Sequence, residues 1–326
     1  MTPAARAAAV TAVDIALEAT VVGSFSKIGL AARRRLLPEF TDDQPPRPGQ
    51  LAVVTGATSG LGLATATDLA RRGMNVHFLA RSTAKARQAQ QLIGAAARHG
   101  AVVTFGIADM EDLDCVRRFA KDTVDGHGSI DVMIHNAGAM HERYETGESG
   151  IELTVVGHVL APFLLTHLLL PALTAAAPSR VITVSSGGMY AQRLDLASLV
   201  MPASGYHGAT AYARAKRAQV TLNREWARRY AGTGIAFHAM HPGWADTPGV
   251  VSSLPRFHQL MKPILRSPQE GADTIEWLAT APAAELGSGK FWHDRRPRSE
   301  YWLPWTRESS AAAGQLWDWA AAQAGV

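Results

Sequence analysis

The sequence predicts an α/β fold: a doubly wound parallel sheet in one domain, with a helical extension before it and a helical tail behind. Three observations carry that expectation. Short, almost wholly apolar runs alternate with helical stretches, the pattern of strands buried on both faces of a sheet. A glycine-rich loop, Thr55-Gly56-Ala57-Thr58-Ser59-Gly60-Leu61-Gly62, follows the first run directly. Tyr212 and Lys216 stand four residues apart, so a helix there projects both from one face.

Residues 1–49 read as a helical extension and linker. Val10, Val13, Leu17 and Val21 follow helical spacing while Asp14 and Glu18 occupy another face, so an amphipathic helix is expected. Its two carboxylates argue against a signal peptide or a membrane span. Two readings remain: a helix packed on the domain's own surface, or a peripheral membrane contact through residues 1–35. The triplet Arg33-Arg34-Arg35 reads as a solvated helix end. Gln44-Pro-Pro-Arg-Pro-Gly49 is a cluster of structure breakers, and the catalytic domain, residues 50–304, begins after it.

Within that domain the expected strands are Leu51 to Thr55, Asn75 to Ala80, Ala101 to Ile107, Ile130 to His135, Arg180 to Ser185 and Gly234 to Ala239. Residues 305–326 form the tail, with a helix expected from Ala311 to Ala322 whose Trp317 and Trp319 can cover apolar surface.

Each chemical motif falls at the carboxyl end of an expected strand, where a doubly wound sheet binds its ligands. The glycines of the first loop permit a tight turn and let backbone N–H groups approach a pyrophosphate at the start of the following helix. Arg81 ends the second strand, where a carboxylate would hold the ribose 2′-hydroxyl of NAD(H) and an arginine would pair with a 2′-phosphate. NADP(H) is therefore expected, with NAD(H) still open, and a surface arginine capping the strand is the plainer reading. Asp109 can accept from an adenine amine or simply start a helix. Asn136-Ala137-Gly138 closes the fourth strand with residues that permit close approach to the nicotinamide ribose and the glycine loop. Ser185-Ser186 follows the fifth strand, and Pro242-Gly243-Trp244-Ala245-Asp246-Thr247 the sixth, where the Thr247 hydroxyl can reach the nicotinamide amide or a phosphate. A lysine ammonium beneath the Tyr212 phenol would favour its phenolate, giving a group able to exchange a proton with a carbonyl or alcohol.

Taken in order, these segments resemble a short-chain dehydrogenase/reductase with a Rossmann-type fold, over roughly Leu51 to Ala283. Arg180 to Met189, Met240 to Val250 and Glu270 to Thr274 are similar to the group called dehydrogenase/reductase SDR family member 12. The resemblance implies a carbonyl/alcohol oxidoreductase using NADP(H), with Tyr212 as proton donor, Lys216 as the residue that lowers its pKa and holds the ribose, and Ser186 orienting the substrate. It places Gly56, Thr58, Ser59, Gly60, Leu61 and Gly62 on the diphosphate, and Arg81, Asp109, Asn136, Ala137, Gly138, Pro242, Gly243 and Thr247 around the rest of the cofactor. It also implies a homodimer or homotetramer. One position departs from the pattern: His158 stands where the family carries an asparagine that supports a relay water. Either the histidine holds that water through its own nitrogens, or catalysis is weakened, or the ring is a satisfied helix residue. Lost catalysis would leave a noncatalytic NADP(H)-binding sensor or scaffold. Gly187 to Thr210 would form an extended loop over the substrate. Met189, Tyr190, Leu199, Met201, Tyr206, Val250, Leu254, Phe257 and Met261 suggest an apolar pocket for a lipid-, steroid- or aromatic-type compound.

Composition narrows the rest. A net charge of +4 without long basic runs gives no support to nucleic-acid binding. A single cysteine, Cys115, leaves no intramolecular disulfide, and the twelve histidines show no metal-ligand spacing. A cytoplasmic protein, or one peripherally associated with a membrane, acting on a small carbonyl or alcohol is the expectation.

Overall fold

In the computed structural model, residues 3–40 and 44–326 are described, and the remainder of the extension lies outside them. Eight strands make one sheet, β1 Leu51–Thr55, β2 Asn75–Ala80, β3 Val103–Ile107, β4 Val132–His135, β5 Ser179–Val184, β6 Ile235–Met240, β7 Lys290–His293 and β8 Arg296–Arg298. Their order is β3-β2-β1-β4-β5-β6-β7-β8, parallel throughout except for the β7–β8 hairpin. The order reverses between β1 and β4, which opens the crevice at their carboxyl ends.

Side chains alternate between two apolar layers. Val53, Met133, Val181 and Phe237 face the helices Leu113–His127, Ala161–Ala175 and Gly208–Arg229, whereas Ala52, Val54, Phe78 and Ile134 face Gly60–Arg71, Thr83–Ala96 and Pro268–Thr280. The tail helix, Ser310–Ala324, joins the first layer through Leu316 and Ala320, and Trp317 meets Phe163 and Trp226 at ring centroids 4.8 and 4.5 Å apart. The apolar stretch Leu153–Ala175 is long enough to cross a membrane, but most of it is buried in this core.

The first six strands fall where expected, with small shifts that have physical causes. Gly234 has φ +82°, a left-handed conformation that cannot continue a strand, so β6 starts one residue later. Ile130 N donates to Ala172 O at 3.0 Å, on a helix, and the ladder of β4 begins only at Val132. Strands β7 and β8 were not anticipated. They are very short, and their turn is made by Asp294 and Arg295 at φ 50° and 58°, without the glycine that usually marks two left-handed turn positions.

The extension packs in the opposite sense to its sequence pattern. Asp14 is 5% exposed and faces the domain, whereas Val13 is 42% exposed and Val21 likewise points outward. The cause is Arg33, fully buried, whose guanidinium meets Asp14 and Glu18 at 2.8 Å and Asp294 at 2.7 Å. Arg298 adds a bidentate pair to Asp14, at 2.8 and 2.9 Å. The arginine triplet is thus not a solvated helix end at its first member. Arg34 is half-exposed beside Glu270 and Asp273, and Arg35 is exposed.

Candidate active site

The glycine loop leaves β1 at Gly56, φ +71°, where a Cβ would lie 2.8 Å from Ala137 Cα. At Gly62 a Cβ would overlap Gly56 O and Asn136 Nδ2, so this glycine is what lets the helix pack on the loop. Asn136 is a strut: its Nδ2 donates to Thr55 O at 3.0 Å and Gly56 O at 3.2 Å. Thr55 Oγ1 in turn accepts from the N–H groups of Asn136 and Ala137, each at 3.0 Å. These bonds fix the ends of β1 and β4 together beside the crevice.

Ser59 is the N-cap of helix Gly60–Arg71, but its side chain makes no capping bond and is exposed. Ser82, the N-cap of Thr83–Ala96, likewise makes none, and the exposed Arg81 precedes it. Many other helix starts here are capped by a side chain, among them those at Asp112, Thr247, Ser267 and Ser309. The uncapped starts at Ser59 and Ser82 leave N–H donors and hydroxyls at the carboxyl ends of β1 and β2, an arrangement that suits anionic groups. Thr247 covers the loop from the other side: a Cβ at Gly60 would lie 3.4 Å from its Cβ and Cγ2. Its Oγ1 accepts from Val250 N at 3.3 Å and keeps its own proton to donate. Asp109 Oδ1 accepts from Glu111 N at 3.0 Å, a local turn just beyond the carboxyl end of β3.

Helix Gly208–Arg229 carries Tyr212 and Lys216 on adjacent turns. The two serines divide their work. Ser185 Oγ donates to Lys216 O at 3.0 Å and so ties β5 to that helix. Ser186 Oγ accepts from Gly188 N at 3.2 Å, and its hydroxyl lies near enough to the Tyr212 phenol to act on its pKa. Burial pushes the Tyr212 phenol up while the neighbouring Ser186 hydroxyl draws it down. Lys216 Nζ lies 5.4 Å from the Tyr212 ring centroid and donates to Val184 O at 2.8 Å. Burial lowers its ammonium to about 7. In this state Tyr212 holds its proton, and the titratable cation beside it sits near neutrality.

His158 is 1% exposed and lies in a widened turn, Val156–Leu160, of π-helical type, a distortion often found at functional sites. Its Nε2 pairs with Ala139 O at 2.8 Å, so the neutral ring carries its proton there and turns Nδ1 inward as a bare lone pair. Nδ1 is buried without a hydrogen-bond partner. Burial holds the imidazole well below its usual value, aided by Lys216. The ring meets Tyr212 edge-on at 5.2 Å, and a Cβ on Gly138 would overlap His158 Cε1. Gly138 thereby makes room for the histidine.

Of the nine side chains expected to line a pocket, Met189, Tyr190, Leu199 and Met201 are buried in the core. Tyr206 donates to Glu152 Oε1 at 2.8 Å. Val250, Leu254, Phe257 and Met261 stay partly exposed, Phe257 edge-on to Trp244 at 5.3 Å. Sequence reasoning missed Phe25, Arg266 and the Glu111–His141 pair, 2.9 Å apart; only Arg266, three residues after Lys262-Pro263, could have drawn notice as a lone cation in an apolar stretch.

Comparison with known proteins matches residues 50–255 to the short chain dehydrogenase family model. Human dehydrogenase/reductase SDR family member 12 is 39% identical over 268 residues, covering 82% of this chain and 83% of that protein. Mouse retinol dehydrogenase 11 is 33% identical, covering 83% and 85%. A crystal structure of an uncharacterized Mycobacterium paratuberculosis protein superimposes with TM-score 0.70 at 30% identity, covering 87% of this chain and 96% of that one. A Burkholderia cenocepacia J2315 short chain dehydrogenase in complex with NADP shares the fold, with TM-score 0.61 at 21% identity over 76% of this chain and 96% of that one.

Proposed function

This chain belongs to the short-chain dehydrogenase/reductase family of oxidoreductases acting on CH–OH and C=O groups, and from that premise we propose that it reversibly reduces an apolar ketone or aldehyde with NADP(H). The observation that carries the reading is the meeting of Ser186, Tyr212 and Lys216 beside the crevice, with Lys216 Nζ 5.4 Å from the Tyr212 ring centroid and the Ser186 hydroxyl acting on the phenol. When bound, the nicotinamide supplies the hydride for the carbonyl carbon. Ser186 donates to the carbonyl oxygen and Tyr212 delivers the proton as alkoxide character develops. Lys216 and the bare Nδ1 of His158 flank the tyrosine, and a water between them reloads the phenol. The uncapped start at Ser59 supports a dinucleotide's diphosphate, and the uncapped start at Ser82 with the cation of Arg81 supports NADP(H) over NAD(H). Trp244, Val250, Leu254, Phe257 and Met261 support an apolar substrate, as do relatives named for retinol oxidation.

Replacing Tyr212 tests the reaction. With NADPH and all-trans-retinal, Tyr212→Phe is expected to lower kcat by about 100-fold or more while NADPH affinity holds within about threefold. Near-normal turnover in that variant refutes the mechanism.

The extension supports peripheral membrane association. Its carboxylates Asp14 and Glu18 are neutralised by arginines inside the protein, leaving Val13, Ile15, Val21, Val22 and Ile28 exposed alongside Lys27 and Arg35. An apolar face with cations at its edge suits an anionic bilayer surface. Flotation with phosphatidylserine vesicles is expected for the wild type and lost in Ile15→Asp/Val22→Asp. Equal flotation of both would overturn this assignment.

A further inference from the structure

Phe25 comes from the extension, twenty-five residues before the family-matched segment begins at 50, yet it ends inside the substrate side of the catalytic domain. Its ring is 3% exposed and contacts His241 edge-on at 4.6 Å, Trp244 at 6.0 Å and Trp302 at 5.5 Å. At Gly187, the residue after Ser186, a Cβ would overlap Phe25 Cε2 and lie 2.8 Å from Cζ; the three nearest atoms all belong to Phe25. The absence of a side chain at Gly187 is therefore matched to this one ring.

The backbone around Phe25 reaches the second substrate loop. Trp244 N donates to Phe25 O at 2.8 Å, and at Gly243, φ +72°, a Cβ would lie 2.6 Å from that same oxygen. Arg266, 1% exposed, threads between: it donates to Ser24 O at 2.9 Å, Ser26 O at 3.3 Å and Pro242 O at 3.2 Å. Its backbone exchanges bonds with Trp244 O at 2.7 Å and Asp246 N at 2.8 Å. The ion pairs of Arg33 with Asp14 and Asp294 then pin the segment from behind.

We propose that Phe25 is a positioning residue for the substrate, a wedge from the extension that sets the spacing between the serine loop at 185–191 and the Pro-Gly loop at 242–247. One face of the ring seats the backbone that carries Ser186. Its edge and its carbonyl seat the loop that carries Trp244. The inference rests on the reading of Ser186 as the substrate-orienting hydroxyl, and it extends the catalytic unit upstream of the matched segment. Among the described residues no hydrogen bond or ring contact joins Phe25 to the glycine loop at 56–62, so the wedge acts on substrate placement and leaves dinucleotide binding alone.

Amide hydrogen exchange on the full chain, with and without NADPH, tests this. Phe25→Ala is expected to accelerate exchange about tenfold or more in peptides covering 185–191 and 242–247, with 51–62 and NADPH affinity unchanged. Phe25→Leu, which keeps most of the buried volume, should leave both loops near wild type and guards against a variant that fails to fold. Gly187→Ala alone should loosen the same loops, and the Phe25→Ala/Gly187→Ala pair should restore protection relative to either single variant, because the added methyl fills the space the ring vacates. Unchanged loop exchange in Phe25→Ala, uniform acceleration across the sheet, or no compensation in the pair would each overturn the wedge. Retinal turnover separates the two claims. Loss of kcat in Ser186→Ala with normal loop protection bears on the reaction, whereas a raised KM in Phe25→Ala at unchanged NADPH affinity bears on the wedge.

Discussion

Arg33 Nη1 donates to Asp294 Oδ2 at 2.7 Å across 261 residues of sequence, with both side chains excluded from water. Asp294 also receives Arg266 Nη1 at 2.6 Å, so one carboxylate joins the extension, the β7–β8 turn and, through the Arg266 bond to Pro242 O, the Pro-Gly loop at 242–247. The two arginines hold its pKa far below the usual carboxylate range against the opposing effect of burial. Removing its charge leaves two buried guanidinium groups underpaired. Asp294→Asn is expected to cost about 3–5 kcal/mol of unfolding free energy in urea titrations. A loss below about 1 kcal/mol would mean that the arginines find other acceptors.

Arg81 is the residue to which the proposed NADP(H) preference is assigned. It is exposed at the end of β2, and its field helps the hydrogen bond from His141 hold Glu111 below its usual value. Arg81→Ala is expected to weaken NADPH by about tenfold and NADH little, since a charge-assisted contact to phosphate is lost. Fluorescence titration with both dinucleotides reads this directly. Equal weakening of the two would return Arg81 to a general electrostatic role.

The sheet was legible because its strands are buried on both faces: all five residues of Leu51–Thr55 are out of water, and such runs announce themselves without context. Gly56, Gly62 and the Tyr212/Lys216 spacing were legible because local geometry demands them. What stayed hidden depends on partners distant in sequence. Arg33 belongs to a run that locally resembles a solvated helix end, and only Asp294 makes it interior. The valine stripe of the extension suggested a core-facing surface, but ion pairs to Asp14 turn the helix the other way. Phe25 carries no motif at all, and its role exists only against Gly187 and Trp244.

His158, which the sequence expectation sets where the family carries an asparagine, has one nitrogen committed to Ala139 O and the other bare. If Nδ1 holds the relay water, His158→Leu should lower kcat for retinal by about 100-fold with NADPH affinity kept. His158→Asn, which restores a polar side chain there, should retain most turnover. A gain of activity in His158→Asn over an inactive wild type would instead identify the histidine as a defect and the protein as a cofactor-binding sensor.

The Glu111–His141 pair gives the site a pH dependence of stability. His141 Nε2 meets Glu111 Oε1 at 2.9 Å, and both groups are largely buried. The bond to Glu111 raises the His141 pKa above 6.5 against burial, with Glu145 and Glu152 adding to it. The same bond lowers Glu111 below 4.5. The histidine's contribution is fully present below pH 6.5 and fades as pH rises through its raised folded value, while the glutamate's is present above pH 4.5 and fades on acidification. Stability from this pair is therefore greatest between those two values. Comparing wild type with His141→Asn at about pH 5.5 and about pH 8.5, the variant's deficit should be larger at the lower pH. A deficit that is equal at both, or larger at the alkaline end, would show that the imidazolium is not what the pair contributes. His141 also lies close enough to His158 to lower its pKa, so the charge lost from His141 at alkaline pH relaxes one of the pressures keeping the buried ring neutral.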